Sequence, residues 1–342
     1  MIPKNYPHFL FLNSTYYYTI SCRKSKVVYS LYAFCYNKKE RKGNYLESYE
    51  SSNHCQLCPR RCGADRRKSS GFCGGGSLVK VARAAPHFWE EPCISGKSGS
   101  GAVFFSGCPL SCCFCQNYEI SRGNFGKEIS VQRLAEIFQE LEGQGVHNIN
   151  LVSPTHWQPQ ILQALSLAGL KLPVVWNSGG YELADTLKAL EGHIAVFLPD
   201  LKFYSSERSS RYASAPDYFQ QASLAILEMF RQTGPCVFDS DGMLQKGVII
   251  RHLVLPKGRE DSKKLLGWIA GSFPPGAIRI SLMSQYTPCI QKEGFPELKR
   301  RVSTFEYEDV VNYALSLGLA GYMQERSSAQ AEYTPSFDLT GI

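Results

Sequence analysis

From about residue 101 onward, short apolar runs alternate with amphipathic stretches of helical period. Ala102–Ser106, Asn148–Val152, Val174–Trp176, Ile194–Leu198, Val248–Leu255 and Ala277–Leu282 read as buried strands, with Leu319–Met323 as a last one. Between them, Ser130 is placed to cap a helix that carries Leu134, Ile137, Phe138 and Leu141 on one face. Gln158–Leu170, Glu182–Leu190, Tyr218–Gln232, Asp261–Gly271 and Tyr307–Ser316 read as the other helices. Such alternation predicts an α/β fold with a parallel sheet and helices outside it. Six main βα units are too few to close an eight-fold barrel. The expected architecture is therefore a partial, open (β/α)6 barrel with its chemistry at the C-terminal ends of the strands.

The pattern also divides the chain. Residues 1–50 lack any amphipathic period and are rich in Tyr, Asn, Ser and Lys, so a poorly ordered extension or a start site placed upstream is expected there. They lack the Arg-rich amphipathic face of an organelle presequence. The His8–Leu12 run is too short for a signal-peptide core. A Cys-rich segment, 51–100, follows, then the barrel, 101–325, and a C-terminal tail, 326–342.

Composition narrows the function classes. Residues 1–50 hold eight Lys/Arg against three Glu, which is five of the seven net positive charges of the 342-residue chain. The remaining body is nearly neutral, which argues against nucleic acid as a partner despite the basic pI. No apolar run reaches the length of a membrane span, so no membrane association is expected. Thirteen cysteines would suit a small secreted disulfide scaffold, but this chain is long and periodic, and eight of them fall in two tight groups. Metal binding in a reducing cytoplasm is the expectation.

Cys108, Cys112 and Cys115 are spaced Cys-x3-Cys-x2-Cys directly after the first barrel strand. Three thiolates hold three irons of a [4Fe–4S] cluster and leave the fourth iron open, and an open metal position marks a reactive centre. Ligation by Cys113 in place of Cys112 would break this spacing, so Cys113 is read as a small buried residue. Upstream, Cys55, Cys58, Cys62 and Cys73 offer four thiolates, enough for a closed zinc site or a closed second iron–sulfur cluster; their spacing suits both. Cys93 is a substitute ligand there or, by the burial tendency of cysteine, part of the core. Cys22, Cys35, Cys236 and Cys289 stand alone and take no role. Arg251 and His252 are neighbours on the fifth strand, so at most one points inward; an inward Arg251 needs an anion, and His252 is read as core. Gly179 and Gly180 permit close backbone approach to a ligand.

Phe105-Ser-Gly-Cys-Pro-Leu-Ser-Cys-Cys-Phe-Cys-Gln-Asn117 is followed in order by Ser153-Pro-Thr-His156, Asn177-Ser-Gly-Gly-Tyr181, Pro199-Asp-Leu-Lys202, Arg251-His-Leu-Val-Leu-Pro256 and Leu282-Met-Ser-Gln-Tyr286. This series resembles the radical SAM superfamily, and within it the uncharacterised branch related to the pyruvate formate-lyase activating enzyme. The resemblance runs from about Cys55 to the C-terminus. It implies an oxidoreductase in which S-adenosylmethionine (SAM) chelates the open iron and is reductively cleaved to a 5′-deoxyadenosyl radical that abstracts hydrogen. It also implies cofactor contacts from Ser153, His156, Asn177, Ser178, Gly179, Gly180, Asp200, Lys202 and Arg251. Lys202 and Arg251 are the residues expected to serve catalysis, with Asp200 and Lys202 facing the methionyl end of the cofactor. Trp157 is a weaker candidate, and Gln285 and Tyr286 would lie on the substrate side.

By the same resemblance, reduced ferredoxin or flavodoxin is the electron donor, and activation of a protein substrate as a glycyl-radical enzyme is one implied role. Two departures stand out. The Gly-Gly-Glu usual after the second strand is absent, and the extra cysteines precede the cluster loop instead of following it. The alternative function is a two-cluster electron-transfer protein that does not cleave SAM.

Overall fold

The computed structural model describes residues 9–12, 54–288, 294–324 and 335–342. Apart from Phe9–Leu12, the expected N-terminal extension lies outside the described residues, as do Cys22, Cys35 and Cys289.

In chain order the elements are β1 (Phe9–Leu12), β2 (Val79–His87), α1 (Pro92–Ser95), β3 (Ser100–Phe105), α2 (Tyr118–Ser121), β4 (Lys127–Ile129) and α3 (Val131–Gly143). There follow β5 (Ile149–Val152), α4 (Gln158–Ala168), β6 (Val174–Ser178), α5 (Ala184–Leu187), β7 (Val196–Pro199), α6 (Ser206–Ala213) and α7 (Tyr218–Thr233). The series ends with β8 (Val237–Phe238), β9 (Leu244–Leu253), α8 (Arg259–Ser272), β10 (Arg279–Met283), α9 (Thr304–Ser316) and β11 (Gly321–Gln324).

Local chemistry sets several of these boundaries. The Ser130 hydroxyl accepts the Arg133 amide at 3.1 Å and starts α3, whose Leu134, Ile137, Phe138 and Leu141 are buried. Each such side chain stabilises the fold by about 1.5–3 kcal/mol relative to leaving it exposed. α9 begins with a full capping box between Ser303 and Glu306. The helix expected over 182–190 shortens to α5 and a 3₁₀ turn at Lys188–Leu190, because Glu182 is drawn into the core by hydrogen bonds from Thr155, Trp176 and Ser178. β2 has no expected counterpart. A register shift between Val81 and Arg83 breaks its alternation, which hides it from a period-2 search.

Seven strands, β3, β5, β6, β7, β9, β10 and β11, pair in parallel in that order, each added on the same side of the last. This is the progression of a barrel and not of a doubly wound sheet, whose order would reverse. β2 and β4 extend one edge antiparallel, and β1 pairs antiparallel with β11 at the other. Among the described residues the two edges do not pair with each other. β7 and β9 meet over only Val196–Gly247 and Phe197–Val248, continued by a bridge between Asp200 and Arg251.

The strands alternate between two buried faces. Val174, Trp176, Phe197, Val248 and Ile250 face the helices, whereas Val175, Val196, Leu198, Ile249 and Tyr322 face inward. The connection between β2 and β3 enters that inner face: Cys93 and Ile94 of α1 pack there, and Asn148 Nδ2 donates to Ile94 O at 2.7 Å. The inside is therefore filled at the N-terminal end of the strands, and a cavity lies at their C-terminal ends. Of the expected tail, 335–342 lies along β2, with Leu339 N–H donating to Ala82 O and Ala84 N–H to Thr340 O. No helix among the described residues is long and apolar enough to cross a membrane.

Candidate active site

The loop after β3 is shaped before any cofactor is considered. Gly107 takes φ +91°, and a Cβ there would lie 2.3 Å from Cys73 O, so only glycine fits. That approach lets Cys108 N–H donate to Cys73 O at 3.0 Å. One residue earlier, Ser106 O accepts from His156 Nε2 at 2.8 Å and Trp157 Nε1 at 3.0 Å, so the corner after β5 anchors the base of the loop. Farther on, Ser111 and Cys113 donate their amides to Ala213 O and Tyr212 O. Leu110 N–H points to Cys108 Sγ at 3.4 Å, and Cys115 Sγ meets Ser121 Oγ at 3.2 Å. Cys113 is buried in the main core, against the helix side.

Burial pushes the Cys108 thiol up to about 11 and Cys112 higher still, while the Lys202 ammonium pulls both the other way. Both are thus neutral thiols at pH 7 until a cation binds, since a coordinated metal is what ionises such a group. Among the described residues, no three His, Cys, Asp or Glu side chains are gathered closely enough for a single metal ion. A four-iron cluster asks for a wider arrangement, one thiolate at each of three corners.

Beside Cys112 and Cys115 a cavity of about 210 Å³ opens at the C-terminal ends of the strands. It is reached by Phe104 of β3 at one end of the parallel series and by Gln324 of β11 at the other, so the sheet curves around it. Its polar wall is a charge network. Arg251 donates from Nε to Asp200 Oδ1 at 3.0 Å, and its two terminal nitrogens donate to Glu90 Oε2 at 3.1 Å and Asn177 Oδ1 at 2.6 Å. Lys202 Nζ pairs with Asp200 Oδ2 at 2.5 Å. Glu90 Oε1 accepts from Asn150 and Asn177. Burial works against the Asp200 carboxylate, but Lys202 and Arg251 outweigh it and hold its pKa below the usual range. Burial raises the Glu91 carboxyl although Arg251 opposes it, and Glu91 Oε2 is buried on the cavity wall without a hydrogen-bond partner. Phe114, Leu253, Leu255 and Met283 form the apolar wall.

Of the residues singled out in the sequence, Cys112, Cys115, Asn177, Asp200, Lys202, Arg251 and Gln285 line this cavity. Ser153, His156, Ser178, Gly179 and Gly180 do not. His156 is fully buried under Ser106, and burial drives its pKa down to about 3. Ser178 Oγ donates to Glu182 Oε2 at 2.7 Å. Gly180, at φ +75°, makes a close approach to protein instead of ligand: a Cβ would lie 2.1 Å from Asp200 O. Tyr218 secures the same corner, its hydroxyl accepting Lys202 N–H at 3.0 Å and facing Gly179 O and Asp200 O. His252 is buried between Leu201 O and Ser262 Oγ. Cys93 packs inside the sheet, away from the other cysteine groups. Glu90 and Glu91 have no counterpart among the sequence candidates. Their one signal was a carboxylate pair, Glu90-Glu91-Pro92, in an otherwise apolar context.

The residues present fit an iron–sulfur cluster and SAM. Cys112 and Cys115 border a cavity whose cations, Lys202 and Arg251, suit a carboxylate and whose unpartnered Glu91 oxygen suits an ammonium group, and Cys108 heads the same loop. Residues 102–250, from β3 into β9, match the Radical SAM superfamily. The chain is also 28% identical over 274 residues to Uncharacterized protein MJ0674 of Methanocaldococcus jannaschii, covering 76% of this chain and 74% of that one. A Radical SAM superfamily domain implies a [4Fe–4S] cluster and SAM as cofactors. The curved parallel sheet, the cysteine loop behind its first parallel strand and this match agree: residues 102–250 are a Radical SAM superfamily domain.

Proposed function

We propose that the protein reductively cleaves SAM and uses the resulting radical for hydrogen-atom abstraction. The observation that carries this reading is the juxtaposition of Cys112 and Cys115 with the Asp200, Lys202, Arg251, Glu90 and Glu91 wall in one cavity. Cys108, Cys112 and Cys115 would hold the cluster. When bound, the cluster and SAM supply one-electron cleavage of a sulfonium C–S bond and a 5′-deoxyadenosyl radical. Lys202 and Arg251 take a carboxylate, and Glu91, helped by Glu90, takes an ammonium group. Phe104, Phe114, Leu253 and Leu255 keep water from the reacting centre. Asp200 orients both cations, through contacts to Lys202 and Arg251.

The motif resemblance extends this proposal to activation of a glycyl-radical partner, with a reduced ferredoxin or flavodoxin as electron donor. The test is anaerobic reconstitution with iron and sulfide, reduction by dithionite, addition of SAM, and mass spectrometry for 5′-deoxyadenosine. Product is expected from the wild type and not from Cys112→Ala. A reducible cluster that gives no product would refute the reading in favour of electron transfer alone, and product that survives Cys112→Ala would refute the site.

A further inference from the structure

The loop that carries Cys108, Cys112 and Cys115 has two sides. Cys112, Phe114, Cys115 and Gln116 line the cavity. Pro109 and Leu110 are buried but do not line it. Their carbonyls are held by a layer of side chains from outside the cavity. Arg60 Nε donates to Pro109 O at 2.7 Å, and its terminal nitrogens donate to Ser214 O and, at 3.3 Å, to Ala213 O. Arg122 donates to Leu110 O at 2.6 Å and to Phe72 O at 3.0 Å. The ring of Phe72 is framed by the same two residues, with Arg60 Cζ 4.1 Å and Arg122 Cζ 4.7 Å from its centroid.

Both guanidiniums donate to carbonyl oxygens, so among the described residues no carboxylate cancels either charge. Phe72 nevertheless keeps 42% of its surface exposed. The surrounding segment strengthens the field. Residues 54–78 hold five Lys/Arg and one Asp, a net of four positive charges, against a net of two for the whole of 51–342. The one acid, Asp65, is taken up by Arg67 and Lys68. An exposed aromatic ring framed by arginines is the kind of anchor on which binding energy concentrates, and electron-transfer encounters need only a small interface. We propose that Arg60, Phe72 and Arg122 form the docking face for the electron donor, and that this donor is a small acidic flavodoxin. The inference rests on the redox reading given above. Position selects a redox partner: the face lies on the outer side of the cysteine loop, so an electron enters without crossing the cavity assigned to SAM. Carboxylates around the donor's flavin meet the guanidiniums. The apolar edge of the flavin meets Phe72, a contact that an iron–sulfur centre enclosed in its own loop does not offer. Docking forms and breaks no covalent bond. The anionic flavin hydroquinone loses one electron and becomes the neutral semiquinone, the cluster gains that electron, and no proton is transferred.

The test titrates oxidised flavodoxin onto the reconstituted full chain at rising ionic strength, followed by flavin fluorescence anisotropy. Wild type is expected to bind, with affinity falling by about tenfold from low to physiological salt. Phe72→Glu sets a carboxylate beside both guanidiniums. It should weaken binding and slow cluster reduction by flavodoxin hydroquinone, each by about tenfold, with iron content and dithionite-driven 5′-deoxyadenosine formation at the wild-type level. Phe72→Leu keeps the charges and an apolar contact, so it should lose less. Binding indifferent to salt, or a Phe72→Glu protein that binds and is reduced like wild type, would overturn the proposal. So would a ferredoxin that binds this chain where flavodoxin does not. Should Phe72→Glu lose iron, the salt series on wild type and Phe72→Leu decides alone. Absence of 5′-deoxyadenosine with every reductant would sink SAM cleavage but leave flavodoxin binding unchanged, so the two readings fail separately.

Discussion

Arg251→Met tests the charge network directly. Methionine keeps part of the side-chain packing but deletes the donors to Asp200, Glu90 and Asn177. Removing one partner of a buried ion pair costs about 3–5 kcal/mol, because the other charge stays buried. Two features favour the lower end here. Arg251 keeps 16% of its side-chain surface open to the cavity, and Asp200 retains Lys202. A loss of about 3 kcal/mol is expected. The stranded group is Glu90, whose side chain is only 10% exposed and which keeps only the Asn150 and Asn177 amides. Glu90→Gln should therefore destabilise the wild type but restore about 1–2 kcal/mol in the Arg251→Met background. Urea denaturation of the metal-free protein, followed by circular dichroism, reads both effects as midpoint shifts at constant slope. Additive single and double variants, or an Arg251→Met protein within about 1 kcal/mol of wild type, would refute the coupling.

Three further outcomes follow from the same geometry. Tyr218→Phe removes the hydroxyl that faces Lys202 N–H, Gly179 O and Asp200 O; it should cost about 1–3 kcal/mol in thermal or urea unfolding and slow 5′-deoxyadenosine formation, and wild-type values for both would remove Tyr218 as a positioning residue. Gly180→Ala places a Cβ against Asp200 O at a positive φ, so a drop of more than about 2 kcal/mol is expected, and an unchanged melting temperature would contradict the close approach. His156, its pKa lowered by burial from 6.5 to about 3, stabilises the fold fully above pH 6.5; that contribution is lost as pH falls toward its folded value, at about 1.4 kcal/mol per unit. His156→Gln should flatten the acid limb of a stability-against-pH curve, and an unchanged slope would show that the imidazole is not buried neutral.

Much of the architecture was legible because it is local. The parallel strands follow runs such as Ala102–Ser106 and Val248–Leu255, and they lie within a few residues of their expected places. Ser130 caps its helix as the spacing predicts. β2 was obscured by its register shift, and the helix expected at 182–190 was cut short by a tertiary pull on Glu182. At the site, Asp200, Lys202 and Arg251 could be singled out because short motifs carry them. Glu90 could not: it meets Arg251 across 161 residues of sequence, and no periodicity carries that information. His156 and Gly180 looked like ligand contacts from their places after strands, but the fold uses both to hold backbone.

The strand–helix alternation and the thiol spacing at Cys108, Cys112 and Cys115 are written in the order of residues, since both depend on neighbours within a turn or two of chain. What faces those thiols is set by the folded chain. Curving the sheet brings the ends of β3 through β11 around one cavity, and threading the β2–β3 connection inside places Glu90 and Glu91 against Arg251 and Asp200. The physical reason is that burying those charges is tolerable only where opposite charges from distant strands converge, and such convergence is a property of the folded chain.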